Sequence, residues 1–128
     1  MKERERLEQL YKKMITEIRE YAIILLDKDG TVLSWNAGVE KIKGYKEGEI
    51  VGQNFRIFYL PQDRQYGLPE RLLQAAADEG QASYIGKRVR KDGTTFWGSI
   101  HLTALHDDEG QVIGFTKLTR ELKDGAKD

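Results

Sequence analysis

The first twenty residues combine charged and apolar positions with a helical period. Apolar side chains recur at alternating steps of four and three residues, and one further leucine adds to the same stripe. The stripe consists of Leu7, Leu10, Tyr11, Met14 and Ile18. The pattern predicts an amphipathic helix over residues 1–20. Its stripe either packs on its own domain or forms a coiled-coil dimer interface, for which at most three heptads are present.

After the helix the pattern changes from helical to extended. Five segments have the alternation or aliphatic composition of β-strands: 22–27, 31–35, 82–90, 94–105 and 111–122. Asp and Gly occur together between strand segments at 27–30, 91–93 and 107–110, which is typical of tight hairpin turns. Consecutive strands joined by such turns predict an antiparallel sheet.

The helical segments lie between the second and third strands. Asn36 is placed to cap a short helix, residues 49–65 contain further short helical pieces, and Leu68–Glu79 has the pattern of one amphipathic helix. This order of elements predicts an α+β fold, a five-stranded antiparallel sheet with short helices on one face. In the strand 94–105 the residues in step with Phe96 form the inner face. Trp97 lies on the outer face, where the N-terminal helix is the expected cover.

The amino-acid composition excludes several kinds of partner and reactive site. The chain has 128 residues, 21 Lys and Arg against 21 Asp and Glu, and no cysteine. A net charge of zero argues against nucleic acid as partner, because such binding rests largely on phosphate neutralisation. Disulfides, thiolate metal sites and a cysteine nucleophile are excluded. The longest uncharged apolar run, Tyr21–Leu26, is too short to span a membrane, so we expect a cytoplasmic domain.

Several modest motifs occur in an order that resembles a known family. They are Trp35-Asn36, Gly44-Tyr45, Glu49-Ile50-Val51-Gly52, Arg90-Lys91-Asp92-Gly93-Thr94 before Phe96-Trp97, Gly114-Phe115, and Thr119-Arg120-Glu121-Leu122. Together they resemble a PAS domain of the bacterial sensor (histidine) kinase type. The resemblance implies a sheet of five strands curled around a small cavity, with the N-terminal helix on the outer face of the sheet. It predicts an N-terminal helix at 1–20, a PAS sensor domain at 21–123, and a linker at 124–128 to an output module.

The resemblance also bears on cofactors. In the flavin-photosensor branch of the family the reactive cysteine corresponds to Phe55, the two flavin-binding asparagines to Arg88 and Gly98, and a glutamine to Thr119. This chain has none of those four polar groups, so flavin is disfavoured. Haem is disfavoured because no His occurs in the helix where haem-binding relatives place it. The two histidines, at an outer strand position and a turn, predict no metal site, and the cofactor is left unknown.

Strand parity identifies the side chains that would face a cavity. If Arg88 faces inward, as its correspondence to a flavin-binding position of the family implies, so does Tyr84, and Lys117 and Thr119 share the inner face of the last strand with Phe115. A buried arginine needs a protein carboxylate or a small anionic ligand, unless its chain extends to solvent. The full set of cavity candidates is Phe55, Phe58, Leu73, Tyr84, Arg88, Ile100, Phe115, Lys117 and Thr119.

Two functions remain open on the sequence. One is a sensory or relay domain of a larger signalling protein such as a histidine kinase, which binds a small molecule, dimerises, or does both, and passes a change of shape to its output domain. The other is a ligand-free dimerisation or protein-interaction module whose cavity is filled by apolar side chains. No catalytic residues are predicted, because no nucleophile–His pair and no suitably placed acid or base occurs.

Overall fold

The computed structural model describes residues 2–123 and has a mixed helical and antiparallel architecture. A long N-terminal helix is followed by one strand, a run of short helices with a single 3₁₀ helix, one longer helix, and three strands. The elements are α1 (Lys2–Glu17), β1 (Ala22–Asp27), α2 (Ala37–Lys43), α3 (Glu47–Ile50), the 3₁₀ helix (Phe55–Phe58), α4 (Pro61–Gln65), α5 (Leu68–Glu79), β2 (Gln81–Val89), β3 (Thr95–His106) and β4 (Val112–Glu121). The predicted linker at 124–128 lies outside the described residues.

The sheet confirms the antiparallel topology but has four strands, in the order β1-β4-β3-β2. The segment 31–35, predicted as a fifth strand, forms only isolated bridges. Its backbone hydrogen bonds are divided between β1 and a neighbouring loop. The amide of Leu33 donates to the carbonyl of Leu25 at 2.7 Å, whereas the amide of Val32 donates to the carbonyl of Gln53 and the amide of Gly52 to the carbonyl of Val32, both at 2.8 Å. The Ser34 hydroxyl accepts from the Leu25 amide, which further replaces the expected ladder.

One face of the sheet forms the core with the helices, as strand parity predicts. Along β3 the side chains of Phe96, Ile100 and Leu102 are buried, while Trp97 between them is only half-buried. The core is closed by Phe58 and other apolar residues of the helical segment. The result is a single layer of sheet covered on one side, which directs alternate residues of β2, β3 and β4 into the same interior.

The N-terminal helix forms as predicted, but it does not cover the outer face of the sheet. α1 has no buried residue, so the expected lid over Trp97 is wrong. The indole of Trp97 instead has the ammonium group of Lys87, on the neighbouring strand, 5.8 Å from its ring centroid. The last turns of the helix are attached instead beside β1 and α2, where Ile15 and Thr16 line a cleft together with Leu25.

That attachment is made by Asn36, which is completely buried. Its Oδ1 accepts hydrogen bonds from the amides of Ile23 and Val39, and so caps α2. Its Nδ2 donates to the carbonyls of Ile15, Ile18 and Tyr21 at 3.0–3.1 Å. One side chain thus joins the end of α1, the start of β1 and the start of α2.

The close approach of α2 to this junction predicts that Gly38→Ala destabilises the fold. A Cβ at Gly38 would overlap the carbonyl oxygen of Tyr21, a backbone atom that cannot move independently. We expect a loss of about 3 kcal/mol or more in the free energy of unfolding, measured by urea denaturation. Gly48→Ala in α3 is the matched control, since a Cβ there meets nothing within 4 Å. It should stabilise by about 0.5–1 kcal/mol, and equal stability of the two variants would contradict the packing described.

Candidate ligand site in the core

Three cationic side chains enter the core from three different elements. Lys43 is the last residue of α2, Arg88 lies in β2 and Lys117 lies in β4, and each is 0% exposed. Buried charges are rare in small domains unless they are paired. We call these three residues the buried cation cluster.

Local structure explains why each side chain points inward. Arg88 pairs with Phe96 and Lys117 with Leu102 across the sheet, so both occupy inner-face positions. Lys43 follows Val39 by four residues in α2, which places it on the buried side of that helix. Neither strand can turn its cation to solvent without a register shift that would expose the adjacent core residues.

The two lysines lie around one aromatic ring. The Nζ atoms of Lys43 and Lys117 are 4.1 and 4.9 Å from the ring centroid of Phe58. Lys43 also lies 5.6 Å from the ring centroid of Phe96, and Lys117 donates a hydrogen bond of 3.0 Å to the hydroxyl of Thr119. The aromatic faces offset part of the cost of burying an ammonium group.

Arg88 stacks on two tyrosines. Its guanidinium carbon is 3.8 Å from the ring centroid of Tyr59 and 5.5 Å from that of Tyr84. One nitrogen, Nη1, donates to the carbonyl of Lys87 at 3.0 Å. The remaining guanidinium donors face the interior.

Several polar atoms of this region lack a partner. Within residues 2–123, the Nζ of Lys43, the Nε and Nη2 of Arg88 and the hydroxyl of Tyr59 are buried and make no hydrogen bond of ordinary geometry. The Tyr59 hydroxyl faces Arg88 and the Lys43 ammonium faces Lys117, so these polar groups contact one another without an acceptor of negative charge between them. In the same part of the chain none of the three cations forms an ion pair with Asp or Glu. An unpaired buried charge costs several kcal/mol, whereas a desolvated cation–π contact returns about 2 kcal/mol. The cluster is therefore not fully compensated by the protein.

The electrostatic consequence is a set of strongly perturbed lysines. Burial, reinforced by the charge of Arg88, lowers the pKa of Lys117 from 10.5 to about 7. Burial also lowers the pKa of Lys43 well below its usual value, and the charges of Lys117 and Arg88 act in the same direction. Burial raises the pKa of the Tyr59 hydroxyl, opposed by the Arg88 charge. The hydroxyl therefore remains a donor over the ordinary pH range.

The other side chains predicted to line the cavity are either buried in the core or lie at its edge, partly exposed to solvent. Phe55, Phe58, Ile100, Phe115 and Thr119 are all buried beside the cluster or in the core around it. Leu73 packs against the core from α5 and borders a surface cleft of about 270 Å³, and Tyr84 is 37% exposed. Sequence reasoning missed Lys43 and did not include Tyr59 among the cavity candidates. The signal for Lys43 was its spacing from Val39 and Ile42.

The stripe on α1 is exposed. Leu7, Leu10, Tyr11 and Met14 are 51–56% accessible, and Ile18 is half-buried just after the helix.

On the outer face of the sheet, the ring of His101 shares a 2.7 Å hydrogen bond with Ser83. Residues 2–123 contain no group of three or more His, Cys, Asp or Glu side chains able to hold a metal ion. No helix in that range is long and apolar enough to cross a membrane.

The fold and a family comparison together identify the class of domain. A model of the PAS fold family matches residues 10–120. The chain belongs to the PAS family. A PAS domain from Colwellia psychrerythraea superposes with a TM-score of 0.81 at 22% identity, covering 91% of this chain and 96% of that one.

Two curated relatives place PAS domains of this kind in signalling proteins. Two-component system protein A of Emericella nidulans is 40% identical over 116 residues, covering 91% of this chain and 17% of that protein. A blue-light-activated histidine kinase of Rhizobium johnstonii is 29% identical over 80 residues, covering 62% of this chain and 23% of that protein. The chain thus spans under a quarter of each. The likeness to a blue-light-activated protein gives no support to the expectation that flavin is disfavoured.

The lowered pKa of Lys117 predicts that Lys117→Met stabilises the PAS domain. Because the pKa is about 7 in the folded state and 10.5 in the unfolded state, the unfolded chain binds more protons between these values. The stability cost is complete below pH 7 and disappears as the pH rises towards 10.5. We expect Lys117→Met to add about 1–4 kcal/mol below pH 7, a gain that shrinks at higher pH.

The measurement is urea unfolding of both proteins across that pH range. Lys87→Met is the control, because Lys87 is exposed and adjacent to Arg88. Its effect should stay within about 0.5 kcal/mol and be independent of pH. Destabilisation by Lys117→Met at every pH would contradict the electrostatic argument.

Proposed function

We propose that this PAS domain is a cytoplasmic sensory module that binds a small molecule in its core and relays the resulting change of shape. The observation that carries the proposal is Arg88, completely buried with two guanidinium nitrogens unpartnered within residues 2–123. A ligand that supplies acceptors would be bound more strongly in the conformation that presents these donors. Such differential binding is the requirement for a signal.

A hydrogen-bonded route to the end of the sheet supports the relay. The main-chain carbonyl of Lys43 accepts from the amide of Lys91 at 2.9 Å, and the carbonyl of Ile42 accepts from Nη1 of Arg90 at 3.0 Å. The Nη2 of Arg90 donates to Glu121 at 3.2 Å, at the last residue of β4. A shift of Lys43 on ligand binding would therefore reach the point where the chain leaves the sheet.

Output chemistry is assigned to a separate domain. The relatives are much longer signalling proteins, one of them a histidine kinase, which supports a histidine kinase or another two-component output domain as the covalent partner. The PAS domain itself is proposed to catalyse nothing, and its cavity is proposed to hold neither flavin nor haem. Without cysteine, a flavin here could form no cysteinyl adduct.

Ligand binding predicts that the natively purified chain releases a small molecule when it is denatured. We expect one compound in an amount comparable with the protein, identified by mass spectrometry, and no visible absorption band before denaturation. Arg88→Met should release much less. Lys117→Met, which is expected to fold stably, should also release less of the compound. Lys87→Met should release as much as the unaltered chain.

Release of no compound from the unaltered chain would contradict ligand binding. A flavin or haem band would show the cofactor expectation wrong and leave the sensory role intact.

Dimerisation through α1 is the second proposed property. The stripe of Leu7, Leu10, Tyr11 and Met14 is exposed, and its heptad spacing, continued by Ile18, suits pairing with the same helix of a second copy. Charges of both signs flank it, so two copies do not repel. This surface also supports the alternative of a ligand-free interaction module.

Dimerisation predicts that the double variant Leu10→Glu, Met14→Glu halves the mass in solution. Two carboxylates on the stripe would be buried and close to their counterparts in the paired helices. Light scattering after size-exclusion chromatography measures the mass. Gln9→Glu, outside the stripe, adds negative charge to the same helix and should leave the dimer intact. A single-chain mass for the unaltered protein would contradict the proposal.

A further inference from the structure

We propose that the buried cation cluster of Lys43, Arg88 and Lys117 binds a small oxyanion, a carboxylate or a phosphate. This assignment rests on the proposed function, because it names the ligand class of the same site. Its basis is the combination of three fully buried cationic side chains from three elements with no carboxylate paired to any of them within residues 2–123.

The available donors match an oxyanion. Arg88 has Nε and Nη2 free, which are the two nitrogens on one edge of the guanidinium fork, and this edge binds two oxygens of a carboxylate or phosphate at once. The Nζ of Lys43 and the hydroxyl of Tyr59 are also unpartnered among residues 2–123. A neutral ligand would satisfy hydrogen bonds but would leave the charge of Arg88 uncompensated.

Packing limits the ligand to a small molecule. Phe58 and Phe96 fill the space beside Lys43, and a Cβ at Gly98 would lie only 3.3 Å from the side chains of Phe96 and Ile100. The packing around the cations is therefore tighter than an extended cofactor requires, and the proposed ligand is an oxyanion of few heavy atoms.

Anion binding is expected to take up protons. Two charged groups face Lys117: Lys43 from α2 and Arg88 from β2. Thr119 accepts a hydrogen bond from Lys117 on the same strand, and Tyr59 stacks on Arg88. No acidic side chain forms an ion pair with these residues within residues 2–123. Below pH 7 Lys117 is already charged. Above pH 7 a bound anion must draw a proton onto it, so affinity should fall by up to about tenfold per pH unit for each proton taken up.

The test is a titration of the purified chain with acetate, succinate and inorganic phosphate, followed by backbone amide NMR at constant ionic strength. Acetamide and succinamide are the neutral counterparts, and sodium chloride controls for salt. We expect saturable shifts in β2 and β4 with at least one oxyanion, weaker binding above pH 7, and none with the amides. Comparison of the three anions distinguishes carboxylate from phosphate recognition.

Variants localise the binding. Lys117→Met and Arg88→Met should each weaken it at least tenfold, and Lys87→Met should leave it unchanged. Arg88→Met tests the bidentate contact, whereas Lys117→Met removes one charge from a fold expected to become more stable. The amide spectrum of each variant verifies that it is folded before titration.

The assignment is overturned if none of the three oxyanions gives saturable shifts, if the amides bind equally, or if Lys117→Met binds as tightly as the unaltered chain. Binding of the amides, or release of a neutral compound on denaturation, would leave the small-molecule function standing and refute only the anion. Absence of both oxyanion binding and any released compound would refute both.

Discussion

Burial of positive charge without a protein counter-charge is the constraint around which this core is arranged. Domains of this size are stable by only about 5–15 kcal/mol, and each uncompensated ion costs several. The rings of Phe58 and Tyr59 lie against the cations and recover part of that cost. The rest must come from the long ladders between β2, β3 and β4, which hold Arg88 and Lys117 at inner-face positions. With its cations charged, this core is thus higher in energy than an apolar core of the same shape.

The same constraint places α2 at the centre of the proposed relay. This seven-residue helix is fixed at its first end by the buried Asn36, which binds the end of α1 and the start of β1. Its last residue carries the Lys43 ammonium into the core, and its last carbonyls are bonded to the β2–β3 turn. In the proposed relay, a displacement at Lys43 would move this short helix as a unit and so couple the core to both ends of the domain.

Most of the fold followed from pattern, and part of the candidate site followed from pattern together with the family resemblance. Period-two alternation places Arg88 on one face with Tyr84, and Lys117 on one face with Thr119, and the resemblance indicated that these faces point inward. Lys43 was missed because a short helix with charges on several sides gives a weak pattern, and its burial is decided by what packs above it. The fifth strand failed for a related reason: the choice between a ladder and the loop at 52–54 depends on distant backbone groups. Whether α1 covers the outer face of the sheet is likewise a tertiary property that an amphipathic pattern leaves open.

A buried lysine pair beside an arginine makes ligand and proton binding interdependent. An anion between these groups stabilises their charged forms, so by linkage protonation strengthens anion binding by the same factor by which the anion strengthens protonation. A core with methionine at Lys43 and Lys117 would avoid the desolvation cost but would lose this coupling. Under the proposed anion binding, such a domain would respond to the product of anion and proton availability, because the difference between its states would reside in charge compensation. The cost of burying the charges and the proposed capacity to signal would then have one physical origin.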